Sequence, residues 1–271
     1  MVDARFGLTA EKLEQFEEEG FCVLPNVVAE DDLATLREVC DRGVSFIEAE
    51  MDAQGNDVIG LNHRDRRYIL PLQYKKHGGD LQRFLFGDLM AAVCRETLGP
   101  EAYLFLEQFV VKGAETGMEL GWHQDAGYLP FTPPLYITAW VALDDVNEEN
   151  GTVYMLPYAG AGTRERIDHA LQVSSNDKVG YFGDDPGTPV IAPAGSMAVF
   201  TCNTFHRSGG NNTGHPRRAY LGQYSKKPIL RPDGQGPRHF ADPFLKDGAV
   251  VRQPEAAALE AAPAMPWTWD E

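Results

Sequence analysis

Apolar positions fall into two regimes along this chain. Up to about residue 100 they recur at helical spacing, and beyond it they gather in short β-branched and aromatic runs. Thr9 is placed to cap a first helix, with Leu8 and Leu13 bracketing the cap as a hydrophobic staple. Leu13 and Phe16 continue its apolar stripe and Gly20 stops it. Phe21 to Leu24 reads as a short strand. Leu33, Leu36, Cys40 and Val44 predict a second helix over about 30–46, and a third covers about 80–98, closed by Gly99-Pro100. Between the second and third lies a polar stretch, 51–79, holding Arg64, Arg66, Arg67, Lys75 and Lys76. It reads as a solvated loop, or as a loop folded over a site.

The later runs predict strands at 103–112, 136–143, 152–156, 197–202 and 217–224, separated by clusters of Gly, Pro, Asn and Asp. Many short strands without intervening helices predict an antiparallel double sheet. The expected class is mainly β with N-terminal helices, around a double-stranded β-helix (jelly-roll, cupin-like) core. One domain is expected over 1–271: a mostly helical part at 1–100, the core at 101–228 and an extension at 229–271. From about 241 the extension is rich in Ala and Pro and carries Trp267 and Trp269. It reads as a flap on the barrel or as partly disordered.

Charge removes some partners. The formal net charge is −16 over 271 residues, which disfavours phosphate backbones and anionic lipid surfaces, so neither nucleic acid nor membrane is expected. No apolar run is long enough to span a bilayer, and the N-terminal residues lack the apolar core of a signal peptide. Cys22, Cys40, Cys94 and Cys202 are widely spaced among apolar neighbours, which predicts buried free thiols and a cytoplasmic location.

The chemistry concentrates at Gly121-Trp122-His123-Gln124-Asp125. In an extended chain residues two apart share a side, so His123 and Asp125 can aim an imidazole and a carboxylate at one ion. Alone the pair is weak, because His63-Arg64-Asp65 also fits; its polar, Arg-rich setting reads as surface. A third ligand should come from a later strand. His206, after the run 197–202, is the natural choice, with His169 in a loop and His215 in a turn as competitors. Two histidines and one carboxylate leave three positions open on the metal, the arrangement of non-haem Fe(II) oxygenases. Arg217 or its neighbour Arg218 could take a carboxylate bidentately, in such an enzyme the distal one of 2-oxoglutarate.

These motifs, in order, resemble the phytanoyl-CoA dioxygenase family of Fe(II)/2-oxoglutarate oxygenases over roughly residues 8–228. The resemblance rests on Glu19-Gly20-Phe21, Trp122-His123-Gln124-Asp125 and Trp140-Val141-Ala142-Leu143-Asp144-Asp145. It continues through Glu149-Asn150-Gly151, Met155-Leu156-Pro157, His206 with Ser208 and Asn211, and Arg217 eleven residues beyond His206. It implies Fe(II) on His123, Asp125 and His206, and the distal carboxylate of 2-oxoglutarate on Arg217. Thr138, Trp140 and Gln108 would line the cosubstrate's site. The implied reaction consumes O2 and 2-oxoglutarate, hydroxylates a C–H bond of a small molecule, and releases succinate and CO2. Related halogenases replace the carboxylate ligand with a small residue, so Asp125 points to hydroxylation or a similar oxidation. Relatives often show Gly-Ser-His after the strand-ending Pro, where this chain has Tyr158-Ala159-Gly160, so no relative's substrate transfers. The expected substrate carries an anionic group held by the basic stretch 64–76. Rival readings are a non-oxidative metal-binding cupin-type enzyme and an inactive binding relative.

Overall fold

The strand β5 (Ala102–Lys112) organises the architecture, because three partners pair with it. The computed structural model describes residues 4–74, 79–172 and 177–251. The larger sheet runs β1 (Phe21–Leu24), β12 (Met197–Thr201), β7 (Tyr136–Ala142), β14 (Arg217–Ser225), β5, β4 (Arg67–Pro71), β3 (Asn62–His63) and β2 (Val58–Ile59). A second sheet runs β11 (Thr188–Pro189), β8 (Val153–Leu156), β13 (Phe205–Ser208) and β6 (Leu120–His123). β9 (Ala170–Gln172) and β10 (Asp177–Val179) form a separate hairpin. The pairings within the named strands are antiparallel, and the two sheets form the expected jelly roll.

Side-chain alternation sorts the larger sheet into two faces. Ile137, Ala139, Val141, Tyr220 and Tyr224 point outward and pack with the helices α1 (Ala10–Glu19), α2 (Glu30–Gln54), α3 (Gly79–Leu85) and α4 (Asp88–Thr97). Trp140, Ala142, Ala219 and Leu221 point inward, against Val153 and Met155 of the smaller sheet. The polar residues Thr138, Gln223 and Arg217 lie on this inner side, at positions two apart from the apolar ones. Thr9 caps α1, accepting from the Lys12 amide at 3.3 Å.

The structure departs from the expectations in four places. α2 runs on to Gln54, because Ile47 and Met51 extend its buried stripe before Gly55 ends it. Within the stretch 51–79, residues 51–54, 58–59, 62–63 and 67–71 are helix or strand rather than loop. β4 pairs with β5, burying Tyr68 and Leu70 beneath the helices, and its strand pattern was hidden by a charged residue, Arg67, at an inward position. The third helix is two, α3 and α4, with a break at Phe86-Gly87. The extension contributes β15 (Asp242–Lys246), which pairs with β5 near Ala102–Leu104 and with β16 (Ala249–Val250). Trp267 and Trp269 lie outside the described residues, as do Lys75 and Lys76. The four cysteines are free and buried, and among the described residues no helix is long and apolar enough to cross a membrane.

The β3–β4 turn packs so closely on the end of β5 that residue 113 must be glycine. A Cβ there would lie 1.7 Å from the Asp65 carbonyl oxygen, and the Gly113 amide donates to Arg66 O at 3.0 Å. Gly113→Ala is expected to cost about 2–4 kcal/mol in urea unfolding. An unchanged midpoint would contradict this docking.

Candidate metal and cosubstrate site

His123 ends β6, and His206 on β13 is its direct cross-strand partner. Their rings lie 4.1 Å apart between centroids. Asp125 follows in a short turn, Asp125–Tyr128, pinned where the Ala126 amide donates to Cys202 O at 2.9 Å. One ligand atom from each of His123, Asp125 and His206 lies within 4.8 Å of the others, and no other such group of three occurs among the described residues. Asp125 Oδ1 is 3.6 Å from His206 Nε2.

The imidazoles are oriented from behind. His123 Nδ1 meets Gly121 O at 2.8 Å and His206 Nδ1 meets Thr204 O at 3.1 Å. Carbonyl oxygens only accept, so both Nδ1 atoms carry the proton and both Nε2 lone pairs are free to ligate. Burial, with His206 beside it, pushes the His123 pKa well down and keeps the ring neutral. A buried set of two histidines and one carboxylate fits Fe(II).

Gln124, between the two ligands, faces away and is fully buried. Its amide donates to Glu165 O at 2.8 Å and Asn203 O at 2.7 Å and accepts from the Ile167 amide at 2.9 Å. His169, a competitor for third ligand, accepts from the Gln124 amide at 2.8 Å through Nε2 and so braces the ligand strand. His215 is exposed, and His63 is paired in β3 opposite Arg67.

The three ligands line a cavity of about 520 Å³. Across its wall Arg67, Lys112 and Arg217 are cross-strand partners in one row of β4, β5 and β14. They are 2%, 2% and 1% exposed. Arg67 pairs with buried Asp177 at 3.0 Å. Lys112 donates to Met118 O, and burial next to Arg217 and Arg67 pushes its pKa well down. Arg217 Nη2 donates to Gly151 O at 2.6 Å, whereas its Nε and Nη1 are buried without a partner. Burial lowers its pKa to about 10, which leaves it charged at neutral pH. A buried cation with unpartnered donors fits a carboxylate. Arg218 points the other way, to Asp144 at 2.7 Å and Asp41 at 3.0 Å.

Trp140 and Gln108 also line the cavity, Trp140 with its ring 5.7 Å from the Arg217 guanidinium and Gln108 with an unpartnered Oε1. Thr138 is not among the lining residues: its hydroxyl donates to Asp125 Oδ2 at 2.5 Å. Gln223 joins that contact at 2.9 Å. Sequence reading passed over Gln223, although it lies on β14 at an even spacing from Arg217 and therefore faces inward too. It also passed over Lys112 as a cavity residue, and over Tyr128, Arg238 and His239, which reach the cavity from loops.

The phytanoyl-CoA dioxygenase family model matches residues 16–219, a span that includes His123, Asp125, His206 and Arg217. The chain belongs to that family. Ectoine dioxygenase of Stutzerimonas stutzeri is 25% identical over 235 residues, covering 76% of this chain and 73% of its own length. Peroxisomal phytanoyl-CoA dioxygenase of Mus musculus is 25% identical over 228 residues, covering 78% and 67%. The crystal structure of EctD from S. alaskensis with 2-oxoglutarate and 5-hydroxyectoine superposes with a TM-score of 0.66 at 20% identity, covering 94% of this chain and 90% of that one. The protein is an Fe(II)- and 2-oxoglutarate-dependent dioxygenase. His123→Ala and His206→Ala are expected to lose Fe(II) binding, measured anaerobically by calorimetry, with circular dichroism unchanged. His63→Ala should keep it. Wild-type affinity in both ligand variants would refute the site.

Proposed function

We propose that this dioxygenase hydroxylates a C–H bond of a small, partly apolar molecule bearing an anionic group. Fe(II) is held by His123, Asp125 and His206, and 2-oxoglutarate by Arg217. One observation carries the reading: a buried arginine with two unpartnered nitrogens opens into the same cavity as the three ligand atoms. When bound on His123, Asp125, His206 and Arg217, iron and 2-oxoglutarate would supply the O2 activation for hydroxylation, with succinate and CO2 as the by-products. The protein's part is to place and to exclude. The two sheets close around the site, Trp140 and Gln108 flank the carboxylate position, and Gly151 presents its carbonyl to Arg217. Gly151 adopts φ of 78°, and a Cβ there would meet Gly209 O at 2.6 Å, so the Glu149-Asn150-Gly151 turn serves that contact.

The opposite part of the cavity suits a substrate. Phe105, Leu106, Leu129 and Tyr136 form an apolar wall, with Arg238 and Lys178 also lining the space. His239 lies 5.2 Å from the Phe105 ring, and burial beside Arg238 and Arg231 lowers its pKa to about 4, so it stays neutral. Of the basic stretch 64–76, Arg64 pairs with Asp52 and Asp57, and Arg66 is exposed. Arg67 reaches the cavity but already faces Asp177. The anionic group of the substrate is assigned to Arg238 and Lys178, the cations that line the same part of the cavity as the apolar wall.

Substrate-dependent succinate release from a panel of small carboxylates, phosphates and neutral analogues tests the reaction. Arg238→Gln should raise KM for the anionic substrate, less so at high salt, with 2-oxoglutarate affinity unchanged. An unaltered KM, or turnover of neutral analogues alone, would overturn the anionic assignment. Arg217→Ala should weaken 2-oxoglutarate binding by the roughly 2–5 kcal/mol of a truncated buried charge contact, and Arg218→Ala far less. The reverse order would place the anchor on the other face of β14.

A further inference from the structure

Asp125 offers two carboxylate oxygens, and their surroundings differ. Oδ1 faces the imidazoles, 3.6 Å from His206 Nε2. Oδ2 is turned into the larger sheet. There it accepts from the Thr138 hydroxyl at 2.5 Å and from Gln223 Nε2 at 2.9 Å, and Gln223 Nε2 also lies 3.0 Å from Thr138 Oγ1. The proton count closes this triangle in one way. The carboxylate is acceptor-only, so the single hydroxyl proton of Thr138 goes to it. Thr138 must then accept from Gln223, whose side-chain NH2 lies within reach of both oxygens. Both side chains are buried, at 0% and 4% exposure, and they are direct cross-strand partners on β7 and β14. The sheet register therefore holds the triangle in place.

A carboxylate can hold a metal ion through one oxygen or through both. Which it does decides how many positions stay open. With two histidines and one carboxylate oxygen, three of six remain: two for the oxo-acid end of 2-oxoglutarate and one for O2. A chelating Asp125 would take one of them. We propose that Thr138 and Gln223 are positioning residues that keep Asp125 a single-oxygen ligand, by committing Oδ2 to two hydrogen-bond donors, and thereby preserve the positions that 2-oxoglutarate occupies. This rests on the iron assignment above. It also gives a reason for a polar pair facing the interior of a sheet whose neighbouring inward positions, Trp140 and Leu221, are apolar.

The test separates metal binding from cosubstrate binding, with Mn(II) as a redox-stable probe and calorimetry as the readout. Thr138→Val and Gln223→Leu remove the donors at nearly constant volume. Mn(II) affinity should hold or rise in both, because Oδ2 becomes free to join the ion. Affinity of the Mn(II)-loaded protein for 2-oxoglutarate should fall about 10-fold or more, and Thr138→Ser should restore it. Should either variant fail to fold, Gln223→Met, which removes only the amide, gives the same comparison. Weakened Mn(II) binding with 2-oxoglutarate affinity unchanged would mean the pair merely orients the ligand, and would overturn the proposal. So would unchanged affinities for both, or an equal loss of both. His123→Ala keeps the two failures apart: if it binds Mn(II) like wild type, the metal assignment fails. If it loses Mn(II) while Thr138→Val and Gln223→Leu keep 2-oxoglutarate, only the positioning role fails.

Discussion

A guanidinium buried without an anion of its own is the constraint on which this structure turns. Arg217 is 1% exposed and has one protein acceptor, the Gly151 carbonyl. Burying a charge in such a state is costly unless an opposite charge arrives. Nearby features make sense as support for that state. The left-handed glycine in the turn before β8 delivers the one carbonyl, and Trp140 supplies a ring face. Asn211 ties the β13–β14 connection together through Gly113 O and His215 O, so that β14 starts with Arg217 inward and Arg218 outward. In the function proposed above, the missing anion is the cosubstrate's distal carboxylate. A site prepared in this way binds an acid by completing a charge balance that folding left open.

The same logic extends along the row. Arg67, Lys112 and Arg217 stand side by side on three strands, and Arg67 pairs with the buried carboxylate of Asp177. Burial, and then the like charges of Arg217 and Arg67 at cross-strand spacing, push the Lys112 pKa well down. The metal ligands occupy the facing sheet, where β6 and β13 pair His123 with His206. One sheet therefore supplies the ion's imidazoles, and the other supplies the cations and the donors behind Asp125. The reaction needs both sheets in register, which explains why contacts such as Gln124 with the 163–169 loop are so fully satisfied.

The sequence made much of this legible. The alternation at 103–112, 136–143 and 217–224 is real strand alternation, and His123, Asp125 and His206 come together as their spacing suggested. The choice of Arg217 over Arg218 comes from the family resemblance, parity adding that the two face opposite sides, and the structure sends them to opposite faces. What stayed hidden has a common cause. β4 was masked because its inward residue is charged Arg67, so a strand facing a polar cavity breaks the apolar alternation that identifies strands. Gln223 was passed over for the same reason: nothing local marks a glutamine as a partner of a carboxylate 98 positions away in the chain. Arg238 and His239 arrive from an irregular segment whose path no periodicity encodes. The basic stretch 64–76 was read as a unit, yet folding divides it between surface ion pairs and a buried one.

In the function proposed here, one cavity holds the iron on His123, Asp125 and His206 and the cosubstrate on Arg217. An anaerobic crystal structure with Fe(II) and 2-oxoglutarate tests it most directly. The account predicts an anomalous iron peak bound by both Nε2 atoms and by Oδ1 of Asp125 alone. It also predicts the distal carboxylate on Arg217, with the Gly151 contact kept. Iron on another set of residues, or the distal carboxylate on Lys112 or Arg67 with Arg217 still unpartnered, would contradict it.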